Sequence, residues 1–308
     1  MVLFLMMASC SKKQPSENKE KKMVVITSLF PLYDFAKNIG ENKVDVILLL
    51  PPGVEAHSFE PRPADITKIN AADIFIYTGK FMEPWVDDLV KSIANKNLLI
   101  IDSSASVTLI GQSGEFPEED EDKHTGHHHV GSTDPHIWLD FSNTQKMVNN
   151  ICEALVKKDP QNKDFYLKNA LDYNTKLSDL DNEYRATLAG CKNRTVIYGG
   201  HFAFGYMAKR YNLTFISAYK GFTPDSEPTP KNLVELIEKV KQLDVKYIYY
   251  EELISPKVAE TLSQETGAQL LSLNGAHNVS KDALAAGTGF IAIMKENLKN
   301  LKAGLECQ

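Results

Sequence analysis

The sequence predicts an α/β protein of two pseudo-symmetric parallel-sheet lobes joined by a long rigid helix, with a metal held at the lobe interface. Three observations carry that expectation. Strand and helix signals alternate through the first third of the chain and again through the last, the pattern of parallel sheets. Between them the 27 residues from Asn162 to Leu188 contain neither Pro nor Gly. Histidines stand where the predicted strands end, and in open parallel sheets ligands bind outside the carboxyl ends of strands.

In the first lobe, Met23 to Ser28 (MVVITS) reads as a buried strand, and Pro31 opens a helix that stops at Gly40. Val44 to Leu50 is the second strand, broken by Pro51-Pro52-Gly53, and Pro63 to Asn70 a helix. Asp73 to Thr78, then a helix over Glu83 to Ala94, then Leu98 to Ile101 complete the lobe. Ser142 to Lys157 is expected as a helix capped by Ser142 or Asn143. Asn162 to Leu188 would follow as a strut of about 40 Å, with apolar positions at Phe165, Leu167, Leu171, Leu177, Leu180 and Leu188. The second lobe repeats the order: strand Thr195 to Tyr198, helix His201 to Tyr211, strand Leu213 to Ala218, helix Pro230 to Leu243. Strand Val245 to Tyr250, helix Pro256 to Thr266, strand Gln269 to Leu273 and one closing helix from Asp282 to Leu301 finish it. The expected units are a leader and tether over 1–22, a lobe over 23–158, a linking helix over 159–190 and a lobe over 191–308.

At 308 residues and 43% hydrophobic content the chain can bury the cores that two lobes need. The net charge of −6, with no basic patch, argues against a nucleic-acid partner. The apolar run MVLFLMMAS ends at Cys10, and SKKQPSENKEKK after it has no pattern that could pack, which suggests a signal segment, lipidation at Cys10 and a tether to the membrane. The run is short for a signal peptide and lacks basic residues at its start, so an initiation codon further upstream is expected. Cys152, Cys191 and Cys307 are odd in number and are read as unpaired thiols; the helices between Cys152 and Cys191 argue against that pairing.

The chemistry sits in eight histidines. His124, His127, His128 and His129 lie in an acidic loop with six carboxylates between Glu115 and Asp122, and are expected to collect metal weakly over residues 115–131. His57, His136, His201 and His277 each follow a strand, two from each lobe, and can converge across the cleft. Four neutral imidazoles suit tetrahedral Zn²⁺ better than the oxygen-preferring metals, with manganese or iron the lesser alternatives. Each ligand needs an acceptor behind it to fix its tautomer, and Glu55, Glu60, Asp134, Asp140 and Glu251 are the candidates. Because neutral imidazole is the ligand, affinity is expected to fall below about pH 6.5.

VEAHSFEPRPADI, YTGKFMEPWVDDL, the His-rich insertion before DPHIWLD, GGHFAFGYMAKRYNL and PKVAETLSQETGAQLLSLNGAHNVSKD together resemble the zinc-uptake branch of the metal-binding lipoproteins that serve ABC importers. The likeness covers residues 23 to 305. It implies two α/β lobes bridged by one long helix, three zinc histidines at His57, His136 and His201, and a fourth ligand position, often Glu, Asp or water in relatives, that falls on His277. It also implies an extracytoplasmic, lipid-anchored, monomeric receptor that hands Zn²⁺ to an importer permease with its ATPase. Relatives often carry Asp where this chain has Phe202, so a polar neighbour is lost. Two other readings compete: a surface adhesin, and a zinc hydrolase using a metal-activated water, against which stands the lack of an HExxH motif.

Overall fold

The computed structural model describes residues 22–111, 133–219, 222, 228–253 and 255–308. Cys10 and the histidines at 124, 127, 128 and 129 lie outside the described residues. Each half of the chain builds one four-stranded parallel sheet. The first takes the order β2-β1-β3-β4, from β1 (Met23–Thr27), β2 (Val44–Leu48), β3 (Ile74–Tyr77) and β4 (Leu99–Asp102). The second repeats it as β6-β5-β7-β8, from β5 (Thr195–Tyr198), β6 (Thr214–Ser217), β7 (Tyr247–Tyr250) and β8 (Gln269–Ser272).

Helices α1 (Phe30–Gly40), α2 (Pro63–Ala71) and α3 (Val86–Ser92) cross over between the first strands; α6 (Gly205–Tyr211), α7 (Pro230–Leu243) and α8 (Lys257–Thr266) do so in the second half. The third crossover is shorter than the expected Glu83 to Ala94. Glu83 is buried and turns its carboxylate back onto the Thr78 and Gly79 amides, so it cannot serve the first helical turn. Likewise α6 begins at Gly205 rather than His201, because the His201 amide donates to Glu251 instead of entering a helix.

Two helices join the halves. Helix α4 (Phe141–Lys158) is capped by Asp140, whose carboxylate accepts from the Ser142 and Asn143 amides, two residues before the first of the caps read from sequence. Helix α5 (Lys163–Ala189) is the 27-residue strut. Its buried stripe is Tyr166, Ala170, Tyr173, Leu177, Leu180, Tyr184 and Leu188, at spacings of three and four. Leu167 and Leu171, read as core positions, are exposed. The tyrosines replace them because each buries a ring and still finds an acceptor for its hydroxyl: Tyr173 on Asp34 of α1 at 2.7 Å, Tyr184 on the Met294 carbonyl at 2.6 Å.

The single closing helix expected from Asp282 to Leu301 is two: α9 (Lys281–Ala285) and α10 (Phe290–Gly304), separated at Gly287, where φ is +73°. Cys191 and Cys307 form a disulfide that ties the end of α5 to the C-terminus, which corrects the reading of unpaired thiols; Cys152 is buried and free.

One core runs through both halves, from Phe35 and Ile76 through Trp138, Leu177 and Tyr184 to Tyr198, Leu273 and Leu301. Two smaller ones lie beneath the outer helices, around Phe75 and around Ile248. No helix among the described residues is long and apolar enough to cross a membrane.

Candidate metal centre

His57, His136, His201 and His277 meet at one point, with a potential ligand nitrogen of each lying within 4.8 Å of the others. Each arrives as the strand-end rule requires. His57 follows β2 after the Pro51-Pro52-Gly53 break, His136 precedes a tight turn over Ile137–Leu139, His201 follows β5, and His277 follows β8. His136 and His201 are buried, whereas His57 and His277 are partly exposed.

Two of the five candidate acceptors stand behind imidazoles. Asp134 Oδ1 lies 2.7 Å from His136 Nδ1 and also accepts the His136 amide at 2.9 Å. Glu251 Oε2 lies 2.8 Å from His201 Nδ1. The other three are used elsewhere or not at all. Glu55 folds its own loop by accepting the His57 and Ser58 amides. Asp140 caps α4 and pairs with Arg210 at 2.8 Å, and Glu60 is exposed. Glycine is required twice here: a Cβ on Gly200 would sit 2.6 Å from the Glu251 carboxylate, and one on Gly275 would sit 2.4 Å from the His277 ring.

These partners fix the tautomers. A carboxylate accepting from Nδ1–H leaves the Nε2 lone pair of His136 and of His201 pointing inward. Those two nitrogens are 3.4 Å apart, and His136 Nε2 is 3.3 Å from His57 Nε2. Between His136 and His201, lone pair against lone pair at that separation is repulsive unless a cation lies between them. Tetrahedral zinc at about 2.05 Å from each nitrogen places its ligands about 3.3–3.4 Å apart. The buried Nε2 of His277 has no hydrogen-bond partner, which is costly for a polar atom without a ligand.

Electrostatics keeps His57, His136 and His277 neutral. Burial first, then the neighbouring His201, pushes His57 down to about 4 against the opposing pull of Glu55. Burial, reinforced by the other imidazoles, holds His136 and His277 well below the ordinary histidine value. Burial also pushes Asp134 up to about 8, so the His136–Asp134 contact is a hydrogen bond between neutral groups in the metal-free protein rather than an ion pair. One wall of the site is apolar. Trp138 packs 5.6 Å from the His136 ring and 5.4 Å from His277, and Phe202 lies against Phe222, itself 6.5 Å from His136. Phe202 thus supplies dry surface, in keeping with the polar neighbour read as lost at this position. The wall was missed in the sequence, although Trp138 inside DPHIWLD was its available signal.

Paired α/β lobes that converge buried neutral imidazoles on a single point define a metal-binding solute receptor, not an enzyme. The chain matches the family model "ZnuA: Zinc-uptake complex component A periplasmic" over residues 25–304. It belongs to that family. Among its relatives, the high-affinity zinc uptake system protein ZnuA of Bacillus subtilis (strain 168) is 41% identical over 98% of this chain and 94% of its own length. The zinc-binding protein AdcA of Streptococcus pyogenes serotype M18 is 36% identical over 92% of this chain, which spans only 56% of that longer protein. The crystal structure of the Zn(II)-bound ZnuA-like domain of Streptococcus pneumoniae AdcA superposes with a TM-score of 0.77 at 32% identity, covering 93% of this chain and 100% of that one.

Proposed function

We propose that this chain is the zinc receptor of an ABC importer and that His57, His136, His201 and His277 together bind one Zn²⁺. The observation that supports it most is the pair of inward-facing Nε2 lone pairs of His136 and His201 at 3.4 Å, with His57 Nε2 at 3.3 Å from His136 Nε2, the spacing of a zinc tetrahedron. The names of its relatives, a zinc uptake protein and a zinc-binding protein, agree with it. Zinc is cargo here. The carboxylates behind His136 and His201 orient the imidazoles and offset the dication's charge, and the apolar wall keeps water from replacing a ligand.

The receptor works outside the cytoplasm, as a monomer held to the membrane through lipid at Cys10, and delivers zinc to a permease driven by a partner ATPase. The lobes take the boundaries 23–158 and 191–308, with 159–190 as the link. His124, His127, His128 and His129 collect zinc loosely for the cleft. Metal analysis and chelator competition on protein purified without added metal test the assignment. One tightly held zinc per chain is expected, lost in His136→Ala and His201→Ala. Unchanged zinc content in those variants would overturn the ligand set. Deleting residues 115–131 should leave the tight site and remove only weak extra stoichiometry.

A further inference from the structure

The loop that carries His277 leaves β8 in the second lobe, yet from Gly275 to Val279 its hydrogen bonds to other elements run to the first. Its root is held locally: the buried Asn297 of α10 exchanges two hydrogen bonds with the Asn274 backbone, at 2.8 and 2.7 Å. The Asn274 side chain accepts the Ala276 amide, holding Ala276 at a φ of +55°. From there the partners change. Trp138 Nε1 donates to the Gly275 carbonyl at 2.8 Å, and the Phe30 amide at the start of α1 donates to the His277 carbonyl at 3.3 Å. The Gly53 amide donates to the Val279 carbonyl at 2.9 Å.

Asn278 completes the set. Its side chain is 3% exposed, and its amide nitrogen donates both hydrogens to the loop that carries His57, to the Pro51 carbonyl at 2.7 Å and the Val54 carbonyl at 2.8 Å. Its oxygen accepts the Val279 amide at 2.8 Å, so the side chain has no free polar atom and no alternative partner to which it could turn.

We propose that Asn278 is a positioning residue for zinc: by strapping the His277 loop to the Pro51–Val54 segment, it fixes His277 against His57 across the lobe boundary. This rests on the zinc-receptor reading and deepens it. Without the strap, the Val54 carbonyl loses its side-chain donor, the Pro51 carbonyl keeps only the Val54 amide, and the peptide next to His277 is free to shift. The fourth imidazole then spends less time within bonding distance of the metal. Residues that orient a metal ligand from behind typically contribute 10–100-fold in affinity.

The test compares the parent, Asn278→Ala, the near-isosteric Asn278→Asp, His277→Ala and the double variant carrying His277→Ala with Asn278→Ala. Zinc affinity is read by competition with a chromophoric chelator, and coordination by the visible absorption of the Co²⁺-loaded proteins. Both Asn278 variants should bind zinc about 10–100-fold more weakly than the parent, and their Co²⁺ spectra should move toward that of His277→Ala. The double variant should match His277→Ala within about twofold, because no ligand is left to position. An Asn278 loss that persists in full on the His277→Ala background would overturn the proposal. So would a lowered melting temperature with unchanged affinity and spectrum. If Asn278→Ala does not fold, Asn278→Asp, which keeps the volume and the acceptor but removes both donors, carries the same comparison. A parent that takes up no stoichiometric zinc would instead sink the receptor reading.

Discussion

At the scale of single residues, the proposed site depends on which nitrogen of His136 and of His201 is left free to bind a metal. Asp134 and Glu251 take the Nδ1 hydrogens of His136 and His201, and Nε2 is thereby committed. Asp134→Asn and Glu251→Gln are expected to weaken zinc binding about 10–100-fold each while leaving the circular dichroism spectrum unchanged. The pH dependence follows from the same contacts. Asp134 is raised to about 8, so in the metal-free protein it holds a proton below that pH and gives it up when zinc arrives. His57 is lowered to about 4, so protons compete for it only near that pH. Affinity should therefore rise with pH up to about 8, changing no faster than about tenfold per pH unit between 5 and 8. The loss expected from an ordinary histidine, setting in at about 6.5, is displaced by burial. Chelator competition across that range checks this, and a two-proton slope starting near pH 6.5 would contradict it.

At the scale of elements, β1 to β8 and their crossovers were legible because short β-branched and aromatic runs such as VVIT, IFIY and YIYY favour strand. The four histidines were legible because strand ends are countable. What escaped depends on partners distant in sequence. Tyr166, Tyr173 and Tyr184 form the buried seam of α5, and only the acceptors on other elements, Asp34 for Tyr173 and the Met294 carbonyl for Tyr184, make burying their hydroxyls tolerable. Glu83 shortened α3 through contacts with Ser28, Thr78 and Gly79 that no local pattern announces. Cys191 and Cys307, 116 residues apart, meet only because α5 and α10 pack side by side. Closing a loop of that length stabilises by about 2–5 kcal/mol. Replacing both cysteines with serine should lower stability to denaturant by about that amount. Zinc affinity should stay within about twofold, since the disulfide touches no part of the site.

At the scale of the whole molecule, the two lobes are not free bodies on a hinge. They share one core that includes α1, α4, α5 and α10, and α5 bonds to α1 through Tyr173 and to α10 through Tyr184. Wide opening would expose that core to water, at about 25 cal/mol for each Å² of apolar surface. Capture must therefore involve local movement of the site loops. Small-angle scattering with and without zinc should give the same radius of gyration within error, whereas a large compaction on loading would contradict the shared core. Zinc should still stabilise, since a ligand that binds only the folded state adds about 4 kcal/mol at a free concentration 1,000 times its dissociation constant. The most direct test of the four-imidazole site is X-ray absorption at the zinc edge on protein lacking residues 115–131 and loaded with one equivalent of zinc. Four imidazole nitrogens at about 2.0–2.1 Å are expected, dropping to three in His277→Ala. A first shell of mainly oxygen or sulfur, or one unchanged in His136→Ala and His201→Ala, would contradict it.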